Sequence, residues 1–157
     1  MIVDDIIDGI ADAVANCTPA TDSSSPSAFT HAGAFAALEL GVADDRAFIV
    51  RLDRGNPDAW HEGTSTTGIG QYAVLVNVQV RYRNEGREVF EQEKIIAQDR
   101  RIIIDNVPVY MRDLVVSGGT IGVCVYDGGH LSDETTEIVH SHFTFRVEYT
   151  DTITAVP

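Results

Sequence analysis

The stretch that decides the fold runs from Tyr72 to Arg83 and has the sequence YAVLVNVQVRYR. Apolar or aromatic side chains occupy every second position of this stretch, and most of the side chains between them are polar. Because side chains alternate between the two faces of a strand, the pattern predicts a long β-strand with one buried face. Its length is about twice that of an average strand. Such a strand is expected to project beyond its own core or to border another subunit.

The bulk composition is typical of a globular chain with one core. The 157 residues predict a single domain over residues 1–150, followed by a flexible tail at residues 151–157. The 24 acidic residues outnumber the 11 basic ones and give a formal charge of −13. This balance argues against a sequence-independent grip on nucleic-acid phosphates, which needs clustered Lys and Arg.

Cysteine usage and hydropathy bear on the compartment. Cys17 and Cys124 are far apart in the sequence and form no ligand or redox spacing, so both are predicted to be reduced and buried. The chain opens without a cationic segment and contains no run of 18 apolar residues. We therefore expect synthesis in the cytoplasm and no membrane partner.

The first half of the chain contains a helix, a strand and two polar segments. Residues 2–15 predict an amphipathic helix with aspartates on its outer side. Residues 18–27 predict a loop, residues 33–40 a short helix, and residues 47–53 a strand. The polar segment Arg54–Gln71 predicts a long hairpin loop that serves as a contact element. Within it, Trp60 is expected to pack on a neighbouring subunit, with Glu62 facing solvent or a lumen.

The pattern changes to a helical period over residues 87–106. Apolar residues at Val89, Ile96, Ile103 and Val107, widened by Phe90, Ala97 and Ile104, predict the buried stripe of a helix. Pro108 is expected to end this helix at or before Val107. Ile95 and Ile102 lie one heptad apart on a flank of otherwise charged residues, which indicates that a second surface covers them.

The C-terminal third predicts β-structure. Gly118-Gly119 indicates a hairpin or bulge, and residues 127–134 predict a turn. The last predicted strand covers residues 138–150, with Phe143, Phe145, Val147 and Tyr149 facing inward.

Candidate catalytic groups do not converge in the sequence. His140 and His142 would share one face of the last strand, and Asp133 or Glu137 would be the oxygen ligands of a metal site there. No further His or Cys spacing completes a metal shell, and no glycine-rich phosphate loop or nucleophile elbow occurs. The sequence therefore predicts neither metal, cofactor nor enzymatic activity.

Arginines cluster around the central strand and the helix after it: Arg81, Arg83, Arg87, Arg100, Arg101 and Arg112. One interpretation is scattered surface ion pairs, each of which contributes little. The other is a subunit with an acidic N-terminal edge and an Arg-bearing edge that assembles head to tail, as in a ring. Under the second interpretation the candidate interface or lumen residues are Arg54, Trp60, Glu62, Arg81, Arg83, Ile95 and Ile102.

The order of these elements resembles the tail terminator and neck proteins of tailed bacteriophages, also called minor tail or tail completion proteins. The resemblance spans roughly residues 1–150 and is carried mainly by Val74–Arg83 running into the helix at Ile95–Val107, and by FTFRVEY at Phe143–Tyr149. It implies an α+β fold with a mostly antiparallel sheet of four or more strands, flanked by an N-terminal and a central helix.

The same resemblance implies a structural function. Such subunits form a ring, expected to be six-fold, that ends the tail tube and joins it to the head connector of the virion, with DNA passing through the lumen unbound. A head-completion protein or tail-tube subunit is the nearest alternative. A small α+β enzyme or ligand-binding module is a more distant one, and it would need a closed apolar pocket with convergent polar groups.

Overall fold

The computed structural model describes residues 2–21, 28–33, 45–53, 60–62, 69–83, 88–135 and 137–152, with the backbone alone for residues 60–62, 69–71 and 152. Two helices and six strands occur in these ranges. In chain order they are α1 (Ile2–Ala15), β1 (Thr30–His31), β2 (Ala47–Leu52), β3 (Trp60–Glu62), β4 (Ile69–Arg83), α2 (Val89–Arg112), β5 (Gly119–Thr135) and β6 (Ile138–Thr152).

The strands form one mostly antiparallel sheet in the order β1-β2-β4-β6-β5, and β3 also pairs with β4. The short β1 runs parallel to β2, and all other pairs are antiparallel. β4 pairs with β6 along its whole length, from Ile69 opposite Thr152 to Arg83 opposite Ile138. The predicted α+β fold with an N-terminal and a central helix is therefore confirmed. The unusual length of β4 is therefore accounted for by its pairing with β6 inside the chain's own sheet.

Both helices pack on one face of the sheet, where the core lies. The core includes the alternating residues Val74 to Tyr82 of β4, Phe143 to Tyr149 of β6, and the inner sides of α1 and α2. Gly9 lets the helices approach closely, because a Cβ at this position would lie 2.5 Å from a methyl of Leu114 and 3.2 Å from the Met111 sulfur. The period-two pattern of the sequence correctly predicted which residues of both long strands face the core, although Ala73, Leu75, Arg81 and His140 on the other face are buried as well.

The prediction that Pro108 ends the second helix is wrong, because α2 continues through Pro108 to Arg112. A proline inside a helix removes one hydrogen bond and costs about 3 kcal/mol. Fully buried Val107 and Met111, on either side of it, pack in the core, and this packing holds the last turn.

The buried stripe of α2 also differs from the prediction. Ile96, Ile103 and Val107 are buried, but Val89 and Phe90 are each 74% exposed and Ala97 is exposed. The buried positions of α2 are Gln92, Ile95, Ile96, Asp99, Ile103, Val107 and Met111. These positions are separated by steps of three and four residues on both sides of Ile103, so they share one face of the helix. The face of α2 that packs on the sheet therefore includes two polar residues, Gln92 and Asp99.

The predicted turn at residues 127–134 is wrong as well, because β5 runs through it and pairs with β6. The glycines act as a β-bulge. The register shifts between Tyr126 and Gly129, and Gly128 has a φ of +111°, which glycine adopts without strain. The two glycines therefore change the direction of the strand locally, whereas the sequence predicted that the chain turns back at this point.

Other predicted segments agree with the structure only in part or lie outside the described residues. The loop over residues 54–71 contains β3, which pairs with Tyr72–Val74, and β6 extends to Thr152, two residues into the predicted tail. The predicted helix at 33–40 lies almost entirely outside the described residues, as do residues 22–27 of the N-terminal loop and 153–157 of the tail. In the part of the chain that the structure describes, no helix is long and apolar enough to cross a membrane.

Candidate functional site

The predicted interface residues do not come together in one place. Arg54 lies outside the described residues, and for Trp60 and Glu62 only the backbone of β3 is described. Arg81 and Arg83 lie on β4, on the sheet face opposite the helices, which we call the far face. Arg81 is buried and pairs with Glu134 at 3.2 Å. The Arg83 backbone N–H donates to Asp45 at 3.0 Å.

A chain of polar contacts crosses the far face from β4 to β5. His140 Nδ1 lies 2.8 Å from Gln79 Nε2, and His140 Nε2 lies 2.6 Å from Glu134 Oε2. The hydrogen bond with His140, together with the charge of Arg81, holds the pKa of Glu134 below its usual value. These contacts satisfy polar groups that the sheet partly removes from water, and they tie three strands together.

A second group of contacts lies beside the first. Ser132 Oγ is 2.7 Å from His142 Nε2, and the His142 ring stacks on His130 with centroids 4.3 Å apart. Burial lowers the pKa of His142 to about 4, and the nearby charges of other histidines and of Arg51 and Arg100 act in the same direction. His142 is therefore neutral across the physiological range.

Ser132 and His142 are as close as a nucleophile and its general base. His142, however, is poorly suited to act as that base. A general base works best with a pKa near the operating pH, and about 4 for His142 is far below it. Among the described residues, no carboxylate is hydrogen-bonded to His142 to orient its ring. Within the same residues, no three His, Cys, Asp or Glu side chains come together in a way that could hold a metal ion.

A buried ion pair lies on the helix side of the sheet. Arg46 donates to Asp99 from Nε at 2.8 Å and from Nη2 at 3.2 Å. The same carboxylate accepts from the Tyr82 hydroxyl at 3.0 Å and from the Ala20 backbone N–H at 2.8 Å. Burial raises the pKa of Asp99, opposed by the Ala20 N–H and by Arg46. Side-chain exposures of 1% and 0% for Arg46 and Asp99 leave no access for a substrate, so this cluster joins four segments of the fold.

The sequence pattern missed this cluster because it placed Asp99 among the charged residues of α2. A usable signal exists in the spacing. Asp99 follows Ile95 and Ile96 by four and three residues and precedes Ile103 by four, which puts it on the buried face of the helix.

The predicted flank of α2 separates into two environments. Ile95 is buried by the subunit itself, whereas Ile102 is half-buried and lines an open groove of about 490 Å³ between α1 and α2. We call this the helix groove, and its walls include Ala13, Asn16, Cys17, Ile102, Val109 and Tyr110. Val109 and Tyr110 are 52% and 36% exposed. Burial raises the pKa of the Cys17 thiol to about 11, with the charge of Asp99 adding to the effect, so this thiol is unreactive.

A second exposed apolar surface lies on the β5–β6 hairpin. Val123 and Val125 are 47% and 43% exposed, and their register opposite Glu148 and Arg146 places them on the far face. Arg146 and Glu148 form an exposed ion pair at 3.2 Å. We call these four residues the hairpin patch.

The arginines do not form the single edge that the second sequence interpretation describes. The Arg100 side chain lies on the helix side of the sheet. It donates to Ser141 Oγ at 2.6 Å and to the Tyr126 hydroxyl at 3.1 Å. Arg101 and Arg112 form exposed pairs with acidic neighbours on or beside α2, and Arg87 lies outside the described residues. Among the residues that the structure describes, the arginines of the far face are Arg51, Arg81, Arg83 and Arg146.

No protein-family model matches this chain, and a comparison with curated proteins found no match.

Proposed function

We propose that the protein is a structural subunit of a tailed-bacteriophage virion, a tail terminator. In this proposal its copies form a six-fold ring that ends the tail tube and joins the tail to the head connector. The protein is synthesised in the host cytoplasm and acts in the neck of the particle.

The observation that carries this proposal is that exposed apolar side chains lie side by side at two of the surfaces described above. The helix groove and the hairpin patch leave Val109, Tyr110, Val123 and Val125 between 36% and 52% exposed. Apolar side chains that are exposed together favour an interaction site. Two separate surfaces suit a subunit that contacts one neighbour on each side.

The order of elements supports the more specific assignment. A helix, a strand, a long central strand, a central helix and a C-terminal hairpin follow one another along the chain, as the resemblance to tail terminators implies. Gln79, His140, Glu134, Ser132 and His142 of the far face are engaged in contacts between strands, as expected of a structural protein. A charge of −13 suits a lumen that DNA traverses without binding, because like charges repel.

Electron microscopy of the purified chain, together with its mass in solution, tests the proposal. We expect closed rings of six subunits, and labelling of phage particles at the junction of head and tail. Tubes of unlimited length would instead identify a tail-tube subunit. A monomer at every concentration, with no ring in assembled particles, would overturn the proposal.

A further inference from the structure

The end of the β5–β6 hairpin packs loosely on the rest of the sheet. We call residues 129–135 of β5 the hairpin tip. Register shifts interrupt the pairing of β5 with β6 just before Gly129 and again after Asp133. No residue of the hairpin tip is buried, and its leucine, Leu131, is 51% exposed. A segment with few buried contacts opens at a lower free energy than the whole domain.

The first part of β5 is held more firmly. Cys124 is buried, and the Tyr126 hydroxyl accepts a hydrogen bond from Arg100 at 3.1 Å. The Tyr126 ring also lies edge-on to Phe143 and Phe145, with centroids 6.4 Å and 6.0 Å apart. The strand therefore divides at the bulge into a packed part, which ends at Tyr126, and the hairpin tip.

Histidines take part in the side-chain contacts between the hairpin tip and β6. Ser132 Oγ lies 2.7 Å from His142 Nε2, and Glu134 Oε2 lies 2.6 Å from His140 Nε2. His130 is directly opposite His142 in the register, and the two rings stack with centroids 4.3 Å apart. Because histidine is the side chain that changes its charge between about pH 5 and 8, the attachment of the hairpin tip is open to control by protons.

The surroundings of His142 disfavour a positive charge on its ring. Burial, followed by nearby charges, lowers the pKa of His142 to about 4. Groups that are positive or can become so face it from several elements of the described structure: His130 of β5, His140 of β6, Arg51 of β2, Arg100 of α2 and, in contact with the Glu134 partner of His140, Arg81 of β4. The carboxylate within this cluster, Glu134, is engaged by Arg81 and His140.

We propose that the hairpin tip separates from β6 on acidification, when His142 takes up a proton beside His130. Like charges that lie directly opposite each other on neighbouring strands are destabilising. In the separated form the His142 ring is hydrated, and a hydrated imidazole takes up a proton near pH 6.5. Between this value and a pH of about 4 the open form therefore binds more protons than the closed form, so a fall in pH favours opening.

Glu134 opposes this opening. The hydrogen bond with His140, aided by the charge of Arg81, holds the pKa of Glu134 below its usual value. Its carboxylate therefore stays ionised over the same pH range and keeps both partners. The response of the hairpin tip to pH accordingly comes from the stacked pair His130 and His142.

Opening would change the edge of the sheet. β6 lies between β4 and β5, and its residues opposite Gly129–Asp133 are Val139–Phe143. When the hairpin tip leaves, the backbone groups of β6 that paired with it form a new sheet edge. Such an edge can pair with a strand of another chain.

Amide hydrogen exchange on the full-length chain tests this inference. Protection factors correct for the intrinsic effect of pH on exchange, and they are compared at about pH 7 and about pH 5. We expect protection over residues 129–133 to fall about tenfold between these conditions. Protection over residues 119–126 should change by less than about twofold, because that part of β5 does not depend on the histidines.

Histidine variants identify the group that responds. His142→Gln removes the titrating ring and should abolish the fall in protection. His130→Gln, at an exposed position, removes the opposing charge and should reduce the fall to about threefold. His31→Gln is the matched control, because His31 is an exposed histidine on β1 at the other side of the sheet, and it should keep the wild-type response.

Two outcomes of the exchange experiment would overturn the proposal. One is a fall of the same size in His142→Gln and in the wild type. The other is a simultaneous loss of protection along all of β5 and β6, which would show unfolding of the whole sheet. An NMR titration of the wild type gives an independent reading, since a folded His142 that titrates near pH 6.5 would also contradict it. None of these results bears on the ring proposed above.

Discussion

The helix-covered face and the far face of the sheet differ in how they accommodate polar groups. Under the helices, the carboxylate of Asp99 is fully enclosed and accepts four hydrogen bonds, two of them from Arg46. On the far face, polar side chains form a line of pairwise contacts that remains partly open to water, including His140–Glu134 and Ser132–His142. The first arrangement makes the fold depend on one buried charge. The second distributes the polar contacts, so that individual residues can change at lower cost.

The largest expected effect is at the buried charge. Asp99→Asn removes the negative charge that pairs with Arg46 in the interior. Breaking a buried pair in this way costs about 3–5 kcal/mol, a large part of the stability of an ordinary domain. Urea unfolding measures the loss. Asp105→Asn breaks the exposed pair with Arg101 and should cost less than about 0.5 kcal/mol. A similar loss for both variants would contradict the distinction between the two arrangements.

The bulge of β5 gives the next largest effect. A Cβ added at Gly129 would lie 2.1 Å from the His142 carbonyl oxygen and 2.9 Å from the Tyr126 hydroxyl. Because the nearest atom belongs to the backbone, Gly129→Ala should lower the free energy of unfolding by about 1–3 kcal/mol. At Gly122, on the same strand, the nearest atom would be 3.4 Å away. Gly122→Ala should therefore be milder, and the reverse order in thermal unfolding would show that the bulge is not tightly packed.

The far face should make stability depend on pH. The folded chain keeps His142 neutral down to its pKa of about 4, whereas an unfolded histidine takes up a proton near 6.5. The unfolded state therefore binds more protons between these values, and stability falls as pH drops from about 6.5 to about 4. Because His142 is partly exposed, we expect only about 1–2 kcal/mol from this residue. His142→Gln should flatten that part of the pH profile, and an unchanged profile would contradict the assignment.

The smallest effect on stability is expected at the rim of the far face. Arg146 and Glu148 are 42% and 48% exposed in their ion pair, so Arg146→Gln should change the free energy of unfolding by less than about 0.5 kcal/mol. The same substitution should weaken association between copies. A loss of stability above 1.5 kcal/mol, with association intact, would identify Arg146 as part of the fold and not of a contact.

The sequence predicted the fold best where one physical rule acts alone. Alternation along β4 and β6 identified the residues of both strands that face the helices, because strand geometry leaves only two faces. It did not predict the burial of Arg81 and His140 on the other face. Prediction from the sequence failed where tertiary packing overrides a local signal. Pro108 stays inside α2 because Val107 and Met111 are buried on either side of it, and the Gly128-Gly129 pair forms a bulge because β6 continues alongside.

The candidate site was harder to predict for a related reason. Ile95 and Ile102 were predicted to share a flank of α2 that a second surface covers. The structure instead buries Ile95 in the subunit and leaves Ile102 half-buried, packed against the core and lining the helix groove. The helix groove itself depends on how closely α1 approaches α2, which Gly9 permits but which no local pattern encodes. The hairpin patch was hidden because residues 127–134 predicted a turn, which shortened β5 and separated Val125 from Arg146.

The mass of the full-length chain in solution, measured by sedimentation together with electron microscopy, tests the central claim most directly. We expect a closed ring with about six times the 17.1 kDa of one chain, which Tyr110→Asp reduces to folded monomers. A wild-type chain that is monomeric at all concentrations and forms no ring in assembled particles would contradict it.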